Sequence, residues 1–161
     1  MMIRHARLED LSMLVQICNE CYPPEERISE IEYKHRWEIY PQHFWIMEEQ
    51  KEILAFINGP VTDHSRIQDV MFHDPRIHNE NGKWQAILGV NTSLKHQNHD
   101  YASKLMYQLI EDARKQNRKG CILTCKEELI HYYEKFGFMN LGLSQSTLAN
   151  ETWYDMVLYF E

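Results

Sequence analysis

Three consecutive stretches constrain this chain most: Trp84-Gln85-Ala86-Ile87-Leu88-Gly89-Val90-Asn91, the polar segment from Thr92 to Asp100, and the segment from Tyr101 to Asn117. The first is an apolar run with the character of a strand, and a glycine inside a strand suggests a bulge. In the third, Ala102, Leu105, Met106, Leu109, Ile110 and Ala113 recur at three- and four-residue steps, the stripe of an amphipathic helix. Strand, polar loop and helix together form a unit that presents backbone N–H groups at a helix N-terminus. The helix dipole there favours an anion.

The loop and its surroundings resemble the GNAT superfamily of N-acetyltransferases. The acetyl-CoA loop of that superfamily reads Arg/Gln-x-x-Gly-x-Gly/Ala. Gln97-Asn98-His99-Asp100-Tyr101-Ala102 fits it at the first and last positions and carries Asp100 at the central glycine. A second segment, Cys125 to Phe138, resembles the final helix and strand start of these enzymes. It is closest to the serotonin (arylalkylamine) N-acetyltransferase branch, whose Tyr-x-x-Phe-Gly-Phe ending appears as Tyr133-Glu134-Lys135-Phe136-Gly137-Phe138.

The resemblance implies a GNAT fold of the α/β (α+β) class. Its mixed sheet of six to seven strands is splayed at a central bulge, with helices on both faces, in one domain over residues 1–161. It implies acetyl-CoA as co-substrate, held by Leu88, Gly89, Val90, Gln97, Asn98, His99, Asp100, Tyr101 and Ala102, with an oxyanion-binding backbone N–H near Leu88. Tyr133 falls on the general acid, and a phenol with an ordinary pKa of about 10 matches a thiolate leaving group. The implied reaction is acetyl transfer to a small primary amine, an arylalkylamine being one candidate.

The general base does not carry over. The two strand histidines of that branch are replaced by Trp84 and Ala86. Glu25 and Glu26, after Pro23-Pro24, and His78 and Glu80, before Trp84, are the alternatives, with Glu26 and Trp84 named as substrate-side residues. The segment Ser146 to Met156 resembles a bacterial Ser-x-His-Gly-Gly-x-x-Trp-x-x-Met pattern, but Leu148, Ala149 and Asn150 replace its histidine and glycines. These departures, with Asp100, support a second expectation: a degenerate domain that binds acyl-CoA or a metabolite without efficient turnover.

Composition narrows the partners. A chain of 161 residues with 43% hydrophobic content has enough apolar material for a core. The formal charge of −7 with scattered Lys and Arg argues against nucleic acid and favours cationic ligands. No stretch is long and apolar enough for a bilayer, and the N-terminus lacks a signal-peptide core, so a cytoplasmic, membrane-free protein is expected. The nine histidines are dispersed, so no metal is expected, and a homodimer is compatible with the sequence. Cys18-x-x-Cys21 lies on a helical stripe with no second pair, and Cys121 and Cys125 bracket a strand; all four read as free buried thiols.

Along the chain, strands are expected at Ile3–Ala6, Phe44–Met47, Ile53–Ile57, Cys121–Thr124, Phe138–Leu143 and Trp153–Tyr159. Ser29 and Glu32 form a capping box for a helix that stops before Pro41. A short helix is expected over Ser65–Phe72, Gly120 is read as the stop of the central helix, and Gly137 closes the helix from Glu127 to Phe136.

Overall fold

The computed structural model describes residues 1–161. In chain order its elements are β1 (Met2–His5), α1 (Leu11–Cys21), α2 (Glu30–Ile39), β2 (Phe44–Glu49), β3 (Glu52–Asn58), β4 (Val61–Thr62) and α3 (Val70–His73). They continue with β5 (Trp84–Ile87), β6 (Gly89–Thr92), α4 (Tyr101–Lys115), β7 (Gly120–Cys125), α5 (Ile130–Glu134), β8 (Met139–Leu143) and β9 (Tyr154–Tyr159). The nine strands form two ladders, one of four strands and one of five, in place of one sheet of six or seven. No helix is long and apolar enough to cross a membrane.

The chain divides into two compact units. The first comprises residues 1–59 and 89–109. Its sheet has the order β1-β2-β3-β6, antiparallel throughout. The hairpin between β2 and β3 turns at Gln50 and Lys51, both with left-handed φ (50° and 68°), the geometry of a tight two-residue turn that matches strand twist. Helix α2 starts at the expected capping box: the Glu32 N–H donates to Ser29 Oγ at 3.2 Å, and the Ser29 N–H donates to Glu32 Oε1 at 3.1 Å. Such a cap stabilises a helix by about 1 kcal/mol. Leu11, Leu14, Ile17 and Cys18 of α1 are buried with Tyr33, Phe44, Ile46 and Phe56 in one core. Each large aliphatic side chain so buried contributes about 1.5–3 kcal/mol.

The second unit comprises residues 60–88 and 110–161. Its sheet has the order β4-β5-β7-β9-β8, in which β5 and β7 are parallel and the other pairs antiparallel. The register aligns Ala86 with Ile122 and Ile122 with Val157, so these side chains share one face. With Trp84, Ile67 and Met71 they form the core of this unit.

The expected helix over Ser65–Phe72 is reduced to the single turn of α3. Gly120 does not stop α4: that helix ends at Lys115, Asn117 takes the left-handed conformation (φ 61°), and Gly120 opens β7. Gly137 does follow α5 with φ 102°. All four cysteines are free; Cys18, Cys121 and Cys125 are buried and Cys21 is half-buried.

Candidate active site

The apolar run around Leu88 is two strands, not one. β5 ends at Ile87 in the sheet of the second unit, and β6 begins at Gly89 in the sheet of the first. Gly89 is there for space. A Cβ at this position would lie 3.2 Å from both Asn58 Nδ2 and Asn91 Nδ2. Asn58 and Asn91 are buried, and Asn58 Oδ1 accepts from Arg36 Nη1 at 3.0 Å.

β6 is the edge strand of its sheet, and its register defines what the free edge offers. The Ser93 N–H donates to the Leu54 carbonyl at 2.9 Å, and the same diagonal continues through Asn91–Phe56 and Gly89–Asn58. The alternation of antiparallel pairing therefore turns the backbone groups of Val90 and Thr92 outward. The Tyr22 hydroxyl donates to the Val90 carbonyl and the Cys21 thiol to the Thr92 carbonyl, each at 3.2 Å. Burial pushes both side-chain pKa values up, so both stay protonated donors.

The loop after β6 is exposed from Gln97 to Asp100. Asn98 and Asp100 adopt left-handed backbone, with φ of 67° and 61°. Asp100 thus occupies the conformation that glycine takes most readily, at the position where the resembled motif carries one. Its carbonyl accepts from the Lys104 N–H at 3.1 Å, which makes it the residue that starts α4. The N–H groups of Tyr101 and Ala102 that follow have no intrahelical acceptor, as in any helix opening. His99 stacks on Tyr101 with ring centroids 5.4 Å apart, and Lys104 sits 5.9 Å over the same ring. The loop offers anion-seeking backbone groups and, at their start, a carboxylate of its own.

In the second unit, Tyr133 of α5 is 7% exposed, with its ring 5.0 Å from that of Tyr132 and 6.2 Å from that of Phe138. Trp84 is buried in the core with its ring edge-on to Tyr159 at 5.5 Å. Leu88 is half-buried against the same core. In the first unit, Glu26 is half-buried at the end of a single helical turn, Pro24–Glu26, and Glu25 is exposed.

His78 is engaged at both ring nitrogens. The Val61 N–H donates to Nδ1 at 2.9 Å, which fixes the proton on Nε2, and Nε2 faces Glu80 Oε1 at 3.0 Å. Burial holds the imidazole pKa down. Its lone pair is spent on the backbone, and Glu80 also pairs with Arg118 at 3.0 Å.

The sequence reading passes over three buried polar residues, Asn58, Asn91 and Asp155. The signal for Asp155 is present: a carboxylate inside Trp153-Tyr154-Asp155-Met156-Val157, a run otherwise built for a buried strand.

The profile of the acetyltransferase (GNAT) family matches residues 11–138. Among curated proteins, no sequence matches the chain. Several solved structures share its fold. The GphF GNAT-like decarboxylase in complex with isobutyryl-CoA has 17% identity and a TM-score of 0.84, with 99% of each chain covered. Chaetomium thermophilum Naa20 in complex with a bisubstrate analogue has 20% identity and a TM-score of 0.74, over 99% of this chain and 87% of that one. The ribosomal-protein-alanine N-acetyltransferase of Brucella melitensis has 18% identity and a TM-score of 0.73, over 99% and 100%.

Proposed function

The chain belongs to the acetyltransferase (GNAT) family, and from that premise we propose that it transfers the acetyl group of acetyl-CoA to a small primary amine in the cytoplasm. The observation that carries this reading is the loop from Gln97 to Ala102. It joins an edge strand to a fifteen-residue helix through two left-handed residues, and so exposes helix-opening N–H groups to an anion. The pyrophosphate of a CoA ester is the fitting ligand. The isobutyryl-CoA of the GphF complex supports an acyl-CoA at this fold.

In this reading Gly89 and Val90 border the acyl arm, Leu88 lies at the thioester carbonyl, and Tyr133 protonates the departing thiolate. The chemistry is addition of the amine nitrogen to the thioester carbonyl followed by loss of the thiolate. Acetyl-CoA should raise the thermal midpoint. A ligand that binds only the native state at a hundredfold excess over its dissociation constant stabilises by about 2.7 kcal/mol. A thermal melt at millimolar acetyl-CoA checks this, and thiol release across a panel of amines checks transfer.

Asp100 favours a second reading, a domain that binds acyl-CoA weakly and turns over little. A left-handed backbone at a non-glycine residue costs roughly 1–2 kcal/mol, somewhat less for aspartate. A carboxylate 4 Å from a phosphate charge costs up to about 4 kcal/mol at an effective dielectric of 20, before salt screening and rotation towards water. Asp100→Gly removes both: loss of the charge should tighten acetyl-CoA binding by roughly tenfold or more, while relief of the backbone strain, present already without ligand, should raise the melting temperature. Asp100→Asn should recover only the part that fades with salt. Calorimetry on the three forms at low and moderate salt measures this. Equal affinities would place the phosphates away from this loop.

A further inference from the structure

We propose that Asp155 is a buried anionic site for the acceptor's amino group, which holds the incoming ammonium and takes its proton. This rests on the acetyl-transfer reading above and supplies the base that the sequence leaves unassigned.

The position follows from register. Ile87 pairs with Leu123, and Leu123 with Met156. Thr124 pairs with Asp155 in the next row, into which Leu88 runs from β5. Side chains alternate across a sheet, so Leu88, Thr124 and Asp155 share the face of Ala86, Ile122 and Val157. Leu88 and Thr124 are half-buried, whereas Asp155 in the same row is buried.

The carboxylate is not built like a structural ion pair. Asp155 is 4% exposed, and its Oδ1 has no hydrogen-bond partner. Its Oδ2 lies 3.5 Å from Arg66 Nη1, longer than a charge-assisted bond of about 2.7–2.9 Å, and the Arg66 side chain is 53% exposed. Ser144 also hydrogen-bonds the group, and neither Ser144 nor Thr124 titrates; Arg66 is the charged residue facing it. Burial outweighs these contacts and pushes the carboxyl pKa above its ordinary value. A buried carboxylate with an idle oxygen is poorly served by its own protein, and an ammonium donor is the group that serves it.

The proton balance closes. The ammonium gives a proton to Asp155 Oδ1, the freed lone pair forms the N–C bond, and the C–S bond breaks. The thiolate takes the Tyr133 proton, the acetylated nitrogen returns one to the tyrosinate, and Asp155 loses its proton to solvent.

The test uses the full chain and compares the wild type with Asp155→Asn and Arg66→Gln. Rates are measured from pH 6 to 9 with an alkylamine, which arrives protonated, and with hydroxylamine, which arrives neutral. Asp155→Asn should lower kcat/KM for the alkylamine at pH 7 by roughly 100-fold or more, with the deficit shrinking as pH rises. It should leave hydroxylamine turnover and acetyl-CoA affinity within a few-fold of wild type. Its melting temperature should hold or rise, since a buried charge is removed. Arg66→Gln should shift the acidic limb of the alkylamine profile to higher pH. An unchanged profile in both variants overturns the proposal. So does an equal loss with both nucleophiles together with a fall in melting temperature, which would mark Asp155 as structural. If wild type binds acetyl-CoA but acetylates neither amine, the transfer reading fails, and the assignment of Asp155 falls with it.

Discussion

Tyr133→Phe is expected to cut turnover by ~10²–10⁴ while leaving acetyl-CoA affinity nearly unchanged. That is roughly 3–5 kcal/mol of transition-state stabilisation lost with one oxygen atom. The substitution discriminates because the competing role of Tyr133 is packing. The side chain is 7% exposed and meets Tyr132 and Phe138 through its ring. Phenylalanine keeps that ring, so a residue that only packs would show near-wild-type kcat and an unmoved melting point. A residue that donates its proton to the thiolate would lose kcat and keep its stability. Steady-state thiol release with thermal melts of both forms separates the two outcomes, and wild-type turnover in the variant would remove Tyr133 from the mechanism.

The second large effect is on stability. Gly120 opens β7 between Trp84 of β5 and Tyr159 of β9. A Cβ there would overlap the Leu158 carbonyl oxygen and lie 3.0 Å from the Trp84 ring. The obstacle is backbone in a central strand, which cannot rotate away. Overpacking costs about 1–3 kcal/mol where side chains can give, and more where they cannot. Gly120→Ala should therefore lose more than ~3 kcal/mol, a large fraction of a typical 5–15 kcal/mol. Gly142→Ala is the control. Nothing lies within 4 Å of its Cβ direction, but its φ is 94°, so conformational strain of about 1–2 kcal/mol is the expected cost. Urea unfolding of both variants checks the order, and comparable losses would mean that β7 shifts to accommodate the methyl group.

What the sequence discloses here is what is local. Ser29 and Glu32 sit three residues apart and cap a helix wherever the chain goes. The stripe of α4 is read from spacing alone, and Leu105, Met106 and Leu109 are indeed fully buried. Gln50 and Lys51 turn because two patterned strands leave them no alternative. The misreadings come from tertiary context. Gly120 looks like a helix stop because glycine is common there, but Asn117 already supplies the left-handed residue, and the glycine answers to the Leu158 carbonyl, distant in sequence. Ile67 and Met71 have helical spacing over Ser65–Phe72, yet both are drawn into the core of the second unit, and only one turn of helix remains. Val61–Thr62 is too short to carry a strand pattern and exists only by pairing with Gln85 and Trp84. In the candidate site, the loop from Gln97 to Ala102 was legible as a motif, whereas the idle oxygen of Asp155 depends on which neighbours a fold brings to it.

The interleaving of the two units bears on how the chain is made. Neither unit is a continuous stretch: residues 60–88 interrupt the first, and residues 89–109 interrupt the second. On a ribosome, the β1–β2–β3 portion emerges early but waits for β6 to reach its edge, while β4 and β5 emerge before β7, their neighbour in the finished sheet, has been synthesised. β5 can pair with β4 as soon as both are made, but its pairing with β7 is deferred until the chain has passed through α4. A release at residue 110 would leave β5 as an apolar strand without β7, a substrate for chaperones and proteases rather than a half-molecule with half the activity.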